Sequence, residues 1–330
     1  MKLPGKALFY RDWKYSKWFV PLISFEMFLI FFVPAVLSER YGRALEFNPF
    51  SAAGNYIALF LLVFPTVILM SLCLFYYDRK LTCCSLSACM PFSRDEIITC
   101  KWVVGLYNIV LSYLSIYVLM NAALIFNFCW GRLFPDITKW FILCLTVTIC
   151  FFGFVVLLQS FSGSAVVGSI MTLLLAAAPF SILYSIYGIF NIHYTSARIP
   201  RILEPFLVKL YWENVYTKIN SIKLNIPESL VILILGLGLT CVFYFLSLKL
   251  FKKTRLEMTG CLTAIRGADK LYRIVLSYYA GFFLLVLYNL VFQRSAFRPD
   301  ILVLCCIILP IPLYFVTGKA IRIYNKRAAR

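Results

Sequence analysis

The stretch Trp140–Leu158 reads WFILCLTVTICFFGFVVLL and carries no charged residue. Crossing about 30 Å of hydrocarbon takes about 20 consecutive apolar residues in a helix, and this run has that length. Seven more stretches are of the same kind: Trp18–Leu37, Gly54–Tyr77, Trp102–Cys129, Ser164–Phe190, Ser229–Phe251, Ile274–Phe292 and Ile301–Thr317. In lipid a backbone is satisfied only within a helix or a closed barrel, and long, closely connected apolar runs lack the alternation of barrel strands. The sequence therefore predicts an all-α fold, a polytopic transmembrane helical bundle of about eight spans. The last run is the weakest, being short and holding Pro310 and Pro312. Pro21, Pro34, Pro65 and Pro179 predict kinks rather than breaks, since neighbouring helices can satisfy the freed carbonyls.

Composition agrees. Of 330 residues, 62% are hydrophobic and 14% charged, against about 45–50% and about 25% in soluble domains. One soluble core stops growing near this length, so lipid must cover the excess, as the mean hydropathy of +0.87 also implies. The formal charge is +18. In a soluble protein that would point to nucleic acid. Here the basic residues fall between apolar runs, where they meet anionic headgroups, so the bilayer is the expected partner and nucleic acid is not. With the N-terminus inside, 21 of the 32 Lys and Arg lie in inner segments and 11 in outer ones. By the positive-inside rule both termini are cytoplasmic. The first apolar run contains Glu26 and two prolines with no small-residue cleavage site after it, and reads as a retained span in the plasma membrane.

The twelve cysteines form no secreted-type framework. Cys73, Cys144, Cys150, Cys241, Cys305 and Cys306 lie in apolar runs, where Cys acts as a small hydrophobe. Cys83, Cys84, Cys89, Cys100 and Cys261 are expected in cytoplasmic loops, kept reduced, and Cys129 near the outer face. Their spacing does not match a zinc site.

The organisation that follows is an interfacial helix over 1–17, a six-span core over 18–251, a cytoplasmic loop over 252–273, and two further spans with a basic tail over 274–330. Within 1–17, Lys6, Arg11, Lys14 and Lys17 share one arc of a helix, while Leu8, Phe9, Trp13 and Tyr15 share most of the other. That pattern favours lying along the inner membrane surface. The outer segment 191–228 is long enough for structure of its own. Its part Ile202–Ile219 mixes apolar and charged residues in a way that suits a short helix or helix pair.

Missing chemistry narrows the function. No phosphate-binding loop is present: Gly318-Lys319 is preceded by Leu313 where that motif needs glycine. The single histidine, His193, lies in the outer segment, and no span has acids at metal-binding spacing. The chain is not expected to be an enzyme, or to hold a catalytic, metal or cofactor site. Glu26 is the only acid inside a span. It is either a polar residue of a translocation path or the partner of a polar residue on another span, such as Asn108, Asn121, Gln159 or Asn289.

The loop 78–101 reads DRKLTCCSLSACMPFSRDEIITCK. Pro91 pushes its predecessor out of the α region and ends what comes before it. Ser93 offers an N-cap hydroxyl, and Glu96 three residues on completes a capping box. Asp95 and Glu96 suit the positive end of the new helix dipole. The helix starting there should run unbroken into the third span.

At this loop the chain resembles the permease subunits of type-2 ABC transporters. The resemblance rests on Met90, Pro91, Phe92, Ser93, Arg94, Asp95, Glu96, Ile97, Ile98 and Lys101, on the interfacial helix before span one, and on the extended outer segment between spans five and six. It also rests on Lys252 to Gly260, which is similar to the basic-Glu-x-x-Gly tail of those permeases. It covers about residues 1–260, and the length and two extra spans look closer to the Ytr-type permeases of Gram-positive bacteria. The resemblance implies an exporter in which two permease chains, identical or homologous, enclose a path above two ATPase subunits that bind ATP and magnesium. It further implies that Arg79, Lys80 and the residues up to Met90 dock on the ATPase, and that Pro91, Ser93, Arg94 and Glu96 pass its motion to span three. The alternatives are a self-contained secondary transporter or channel, and a membrane enzyme or sensor subunit. An adjacent ATPase gene is expected only under the permease reading.

Overall fold

The computed structural model describes residues 5–32, 62–79, 92–126, 130–194, 226–254, 268–292, 305 and 308–328. These are almost entirely helical, and no strand occurs among them. In chain order the helices are α1 (Lys6–Ser16), α2 (Phe19–Met27, continued by a π-helical turn Phe28–Phe32), α3 (Phe64–Arg79), α4 (Arg94–Phe126) and α5 (Trp130–Phe161). After them come α6 (Ala165–Tyr194), α7 (Ile226–Lys253), α8 (Ala268–Phe292) and α9 (Pro310–Ala328). Among the described residues, three stretches are long and apolar enough to cross a membrane: Arg94–Ala122 in α4, Ile137–Phe161 in α5 and Leu233–Lys253 in α7. They mark the chain as a membrane protein. The stretch in α7 has only 11% of its apolar window buried, with Ile234, Leu235, Val242 and Phe245 exposed, a surface that lipid rather than water suits.

Two compact units are formed, Met1–Ser160 with Thr217–Thr254, and Phe161–Tyr216 with Arg255–Arg330. In the first, cross-helix contacts fix the helix directions. Ser16 meets Asn108 and Ser24 meets Ser115, so α1 and α2 run parallel to α4. Glu26 meets Thr66 and Tyr15 stacks on Tyr77, so α3 runs against α2. Tyr113 meets Thr148 and Tyr117 meets Thr138, so α5 runs against α4. Arg94 meets the carbonyls of Lys252 and Thr254 and Trp102 meets Ser247, so α7 likewise opposes α4. Gly105 lets α4 and α5 approach closely, because a Cβ there would strike the buried Phe152 ring.

In the second unit, Tyr279 donates to the Leu174 carbonyl at 2.5 Å and Tyr272 meets Ser162, so α8 runs parallel to α6. Met171, Tyr272, Val275 and Ile321 form its buried centre. Two features of this region add to the sequence reading. Pro310 and Pro312 stand in the first turn of α9, which begins at Pro310, where a missing backbone N–H costs nothing. The basic tail is helical as well, through Lys319, Arg322, Lys326 and Arg327. Pro179 leaves α6 continuous over Ala165–Tyr194. Pro34 and most of segment 191–228 lie outside the described residues.

Candidate functional site

The beginning of α4 is tied by side-chain bonds both to its own first turn and to the end of α7. Ser93 precedes the helix, and the capping box forms in both directions. The Ser93 amide donates to Glu96 Oε2 at 2.9 Å, and the Glu96 amide donates to Ser93 Oγ at 3.3 Å. From there α4 runs unbroken to Phe126. Arg94 reaches across to the end of α7 and donates to the carbonyls of Lys252 at 3.1 Å and Thr254 at 2.6 Å. Helix ends leave such carbonyls without intrahelical partners. The Lys252–Asp95 ion pair at 2.8 Å adds a second link, well exposed on both sides and hence weak. Two turns on, the buried Trp102 donates to Ser247 Oγ at 2.9 Å.

The same two turns of α4 carry a buried charge cluster that the sequence reading did not single out. Lys101 is fully buried. Its Nζ lies 2.6 Å from Asp78 Oδ2 at the end of α3 and 3.6 Å from Asp12 Oδ2 in α1. It also donates to the Leu74 carbonyl and lies over the Phe75 ring. Arg11 completes the set, with Nη2 at 2.8 Å from Asp12 Oδ1 and 3.2 Å from Asp78 Oδ1. Two cations and two carboxylates thus balance. Burial pushes the Asp78 carboxyl up, but Lys101 and Arg11 outweigh it and hold the group below its ordinary value. Burial alone would lower the Arg11 guanidinium, yet Asp78 and Asp12 overcome it and raise it. Asp78 and Arg11 therefore stay charged at neutral pH.

The cluster changes the reading of α1. The arc opposite Lys6, Lys14 and Lys17 meets protein: Leu8, Asp12 and Ser16 are buried, and Phe9 and Trp13 pack edge-on against Tyr107 of α4. Arg11 leaves the basic arc for the two aspartates. Tyr10 and Trp18 remain exposed.

Of the other residues singled out from sequence, Arg79 ends α3 and donates to the Gln159 carbonyl of α5 while lying over Phe75. It faces a neighbouring helix. Cys100, expected in a loop, is buried within α4. Glu26 accepts a hydrogen bond from Thr66 Oγ1 at 2.5 Å, a partner absent from the four considered. Asn108 instead bonds Ser16, and Asn121 bonds the Tyr117 carbonyl. Glu26 Oε2 is buried without a hydrogen-bond partner among the described residues. Lys80, Met90 and Pro91, and the segment from Arg255 to Gly260, lie outside the described residues. Among the described residues, no group of three His, Cys, Asp or Glu could hold a metal ion.

No family model matches the chain, and neither does any curated protein or solved structure. The site is therefore interpreted from its own geometry. It joins the start of one long apolar helix to α1 and to the ends of α3 and α7, by bonds that hold direction as well as contact.

Proposed function

We propose that the chain is the membrane-spanning permease subunit of an ATP-driven ABC transporter, working as an exporter in the plasma membrane. It would cross eight times with both termini cytoplasmic, pair with a second permease chain, and take its energy from a separate ATPase subunit that binds ATP and magnesium. The observation that carries this reading is the capped helix α4. A helix that begins at a reciprocal Ser93–Glu96 cap and runs unbroken over Arg94–Phe126 is a stiff rod, suited to carrying displacement from a loop into the apolar stretch. Switching by movement of packed elements needs such a connection with two positions. The helix directions support the same reading: α2 and α4 run one way and α3, α5 and α7 the other. Residues at the loop, Arg94 and Glu96 with Ser93, would form the joint, with Lys80, Met90 and Pro91 before them.

One feature favours a self-contained secondary transporter or channel, namely Glu26, whose second carboxylate oxygen is buried without a partner among the described residues. Purification separates the readings. Alone, the chain is expected neither to bind nor to hydrolyse ATP. Co-expressed with an ATPase encoded beside it, it is expected to co-purify with that subunit and support hydrolysis. Specific ATP binding by the isolated chain, or transport in vesicles lacking any ATPase, overturns the permease reading.

A further inference from the structure

The four charges at the start of α4 come from three separate helices. Arg11 and Asp12 lie on α1, Asp78 on α3 and Lys101 on α4. Side-chain exposures are 0% for Lys101, 4% for Asp12 and 13% for Asp78, while Arg11 keeps 26%. Burying charges this deeply adds little net stability compared with apolar packing, because desolvation offsets the attraction. What such a cluster does supply is geometry, since each charge tolerates few positions of its partners. Other contacts lie on both sides of it. Toward the start of α1, Gly5 packs against Phe92, where a Cβ would come within 2.7 Å of the ring. Toward its end, Asn108 Nδ2 donates to Ser16 Oγ at 2.9 Å.

We infer that Lys101 is a positioning residue that locks α1 onto α3 and α4, making α1 a moving part of the α4 lever and not a free membrane anchor. Any shift of α4 along or about its axis that separated Lys101 from Asp12 and Asp78 would leave a fully buried ammonium without a carboxylate, and two carboxylates sharing Arg11 alone. Breaking a buried pair by losing one partner is strongly destabilising. The three helices therefore move together, and the displacement of the loop before α4 is delivered to α1 as well as to the apolar span. What drives α4 rests on the permease reading. The lock does not, because it is read in the isolated chain.

Hydrogen exchange of the full chain in lipid nanodiscs tests it. Removing Lys101 alone would leave the aspartates in excess and could prevent folding, so the informative variants are neutral. Lys101→Met/Asp78→Asn removes the tie between α3 and α4, and Arg11→Gln/Asp12→Asn removes the contribution of α1. In both, amides of residues 6–16 are expected to exchange at least about tenfold faster, as in a local opening, while residues 137–161 keep their protection. Unchanged protection of 6–16 in both variants would show that the aromatic and Ser16–Asn108 contacts hold α1 unaided, and would sink the inference. Equal loss of protection in both segments would also overturn it, by making the cluster a general support of the fold. Either failure leaves the ATP-binding test of the permease reading untouched.

Discussion

Lys101 stands two turns into a helix whose next residues are tryptophan and paired valines, a place where an unpaired ammonium would be costly. It is tolerated because Asp78 and Asp12 are both within 3.6 Å. The direction of the Asp78 shift sets how this arrangement responds to acid. Its carboxyl is held below the ordinary value by Lys101 and Arg11 against the effect of burial. The folded state thus binds that proton less readily than the unfolded chain. Its stabilising contribution is complete above the unfolded pKa and is lost only as pH falls through the lower, folded one. Arg11 is shifted upward, so it stays charged throughout this range. Protection of residues 6–16 against exchange, corrected for intrinsic rates, is therefore expected to be level from about pH 8 to about pH 5 and to weaken only in stronger acid, below the usual carboxylate range. Loss of protection between about pH 7 and about pH 5 would contradict a charged Asp78. None of this was legible in the sequence, where Asp12, Asp78 and Lys101 are far apart and only folding brings them together. The Glu26–Thr66 contact is a polar partner on another predicted span, as one of the two readings of Glu26 had it, and which residue it was stayed hidden for the same reason.

Helices show the opposite balance. The capping box was legible because Ser93 and Glu96 are three residues apart and their chemistry is local. Where α9 begins relative to Pro310 and Pro312 was not legible, because an apolar run does not mark its own start. Their tolerance depends on whether they fall in a first turn or an interior. In α1 the basic arc was visible, yet the periodicity could not say whether the opposite arc met lipid or α4. The cap yields its own prediction. Ser93→Ala/Glu96→Ala removes both reciprocal bonds at a cost of about 1 kcal/mol, typical of a lost cap. That is too little to disrupt the packing of α4 through Trp102, Tyr113 and Gly105. The first turn of α4 should exchange several-fold faster, while association with the ATPase subunit persists and coupled hydrolysis falls. Wild-type hydrolysis in this variant would mean that the cap only finishes a loop. Arg79→Glu is not a clean probe of docking, because Arg79 bonds the Gln159 carbonyl of α5 and its loss would disturb that contact.

At the scale of the whole chain, the apolar runs gave the helical class directly, since their length and composition need no tertiary information. Orientation is a different kind of claim, resting on charge bias across loops. Twenty-one of 32 basic residues fall in the segments placed inside, and five of the 11 outside lie in the single long segment 191–228, where the bias rule is weakest. Two landmarks test it from opposite faces. Cys84 lies in loop 78–101 and is predicted inside, as is Cys261, whereas His193 opens the segment predicted outside. In a cysteine-depleted background, single cysteines would be kept at 84 or 261, or introduced by His193→Cys. An impermeant maleimide added to intact cells should label position 193 and spare 84 and 261 until the membrane is permeabilised. Because the helices of the first unit alternate in direction, one landmark on the wrong face inverts more than its own loop. Labelling at 84 with protection at 193 would place the start of α4 outside, out of reach of any cytoplasmic ATPase, and the proposed coupling would fail with it.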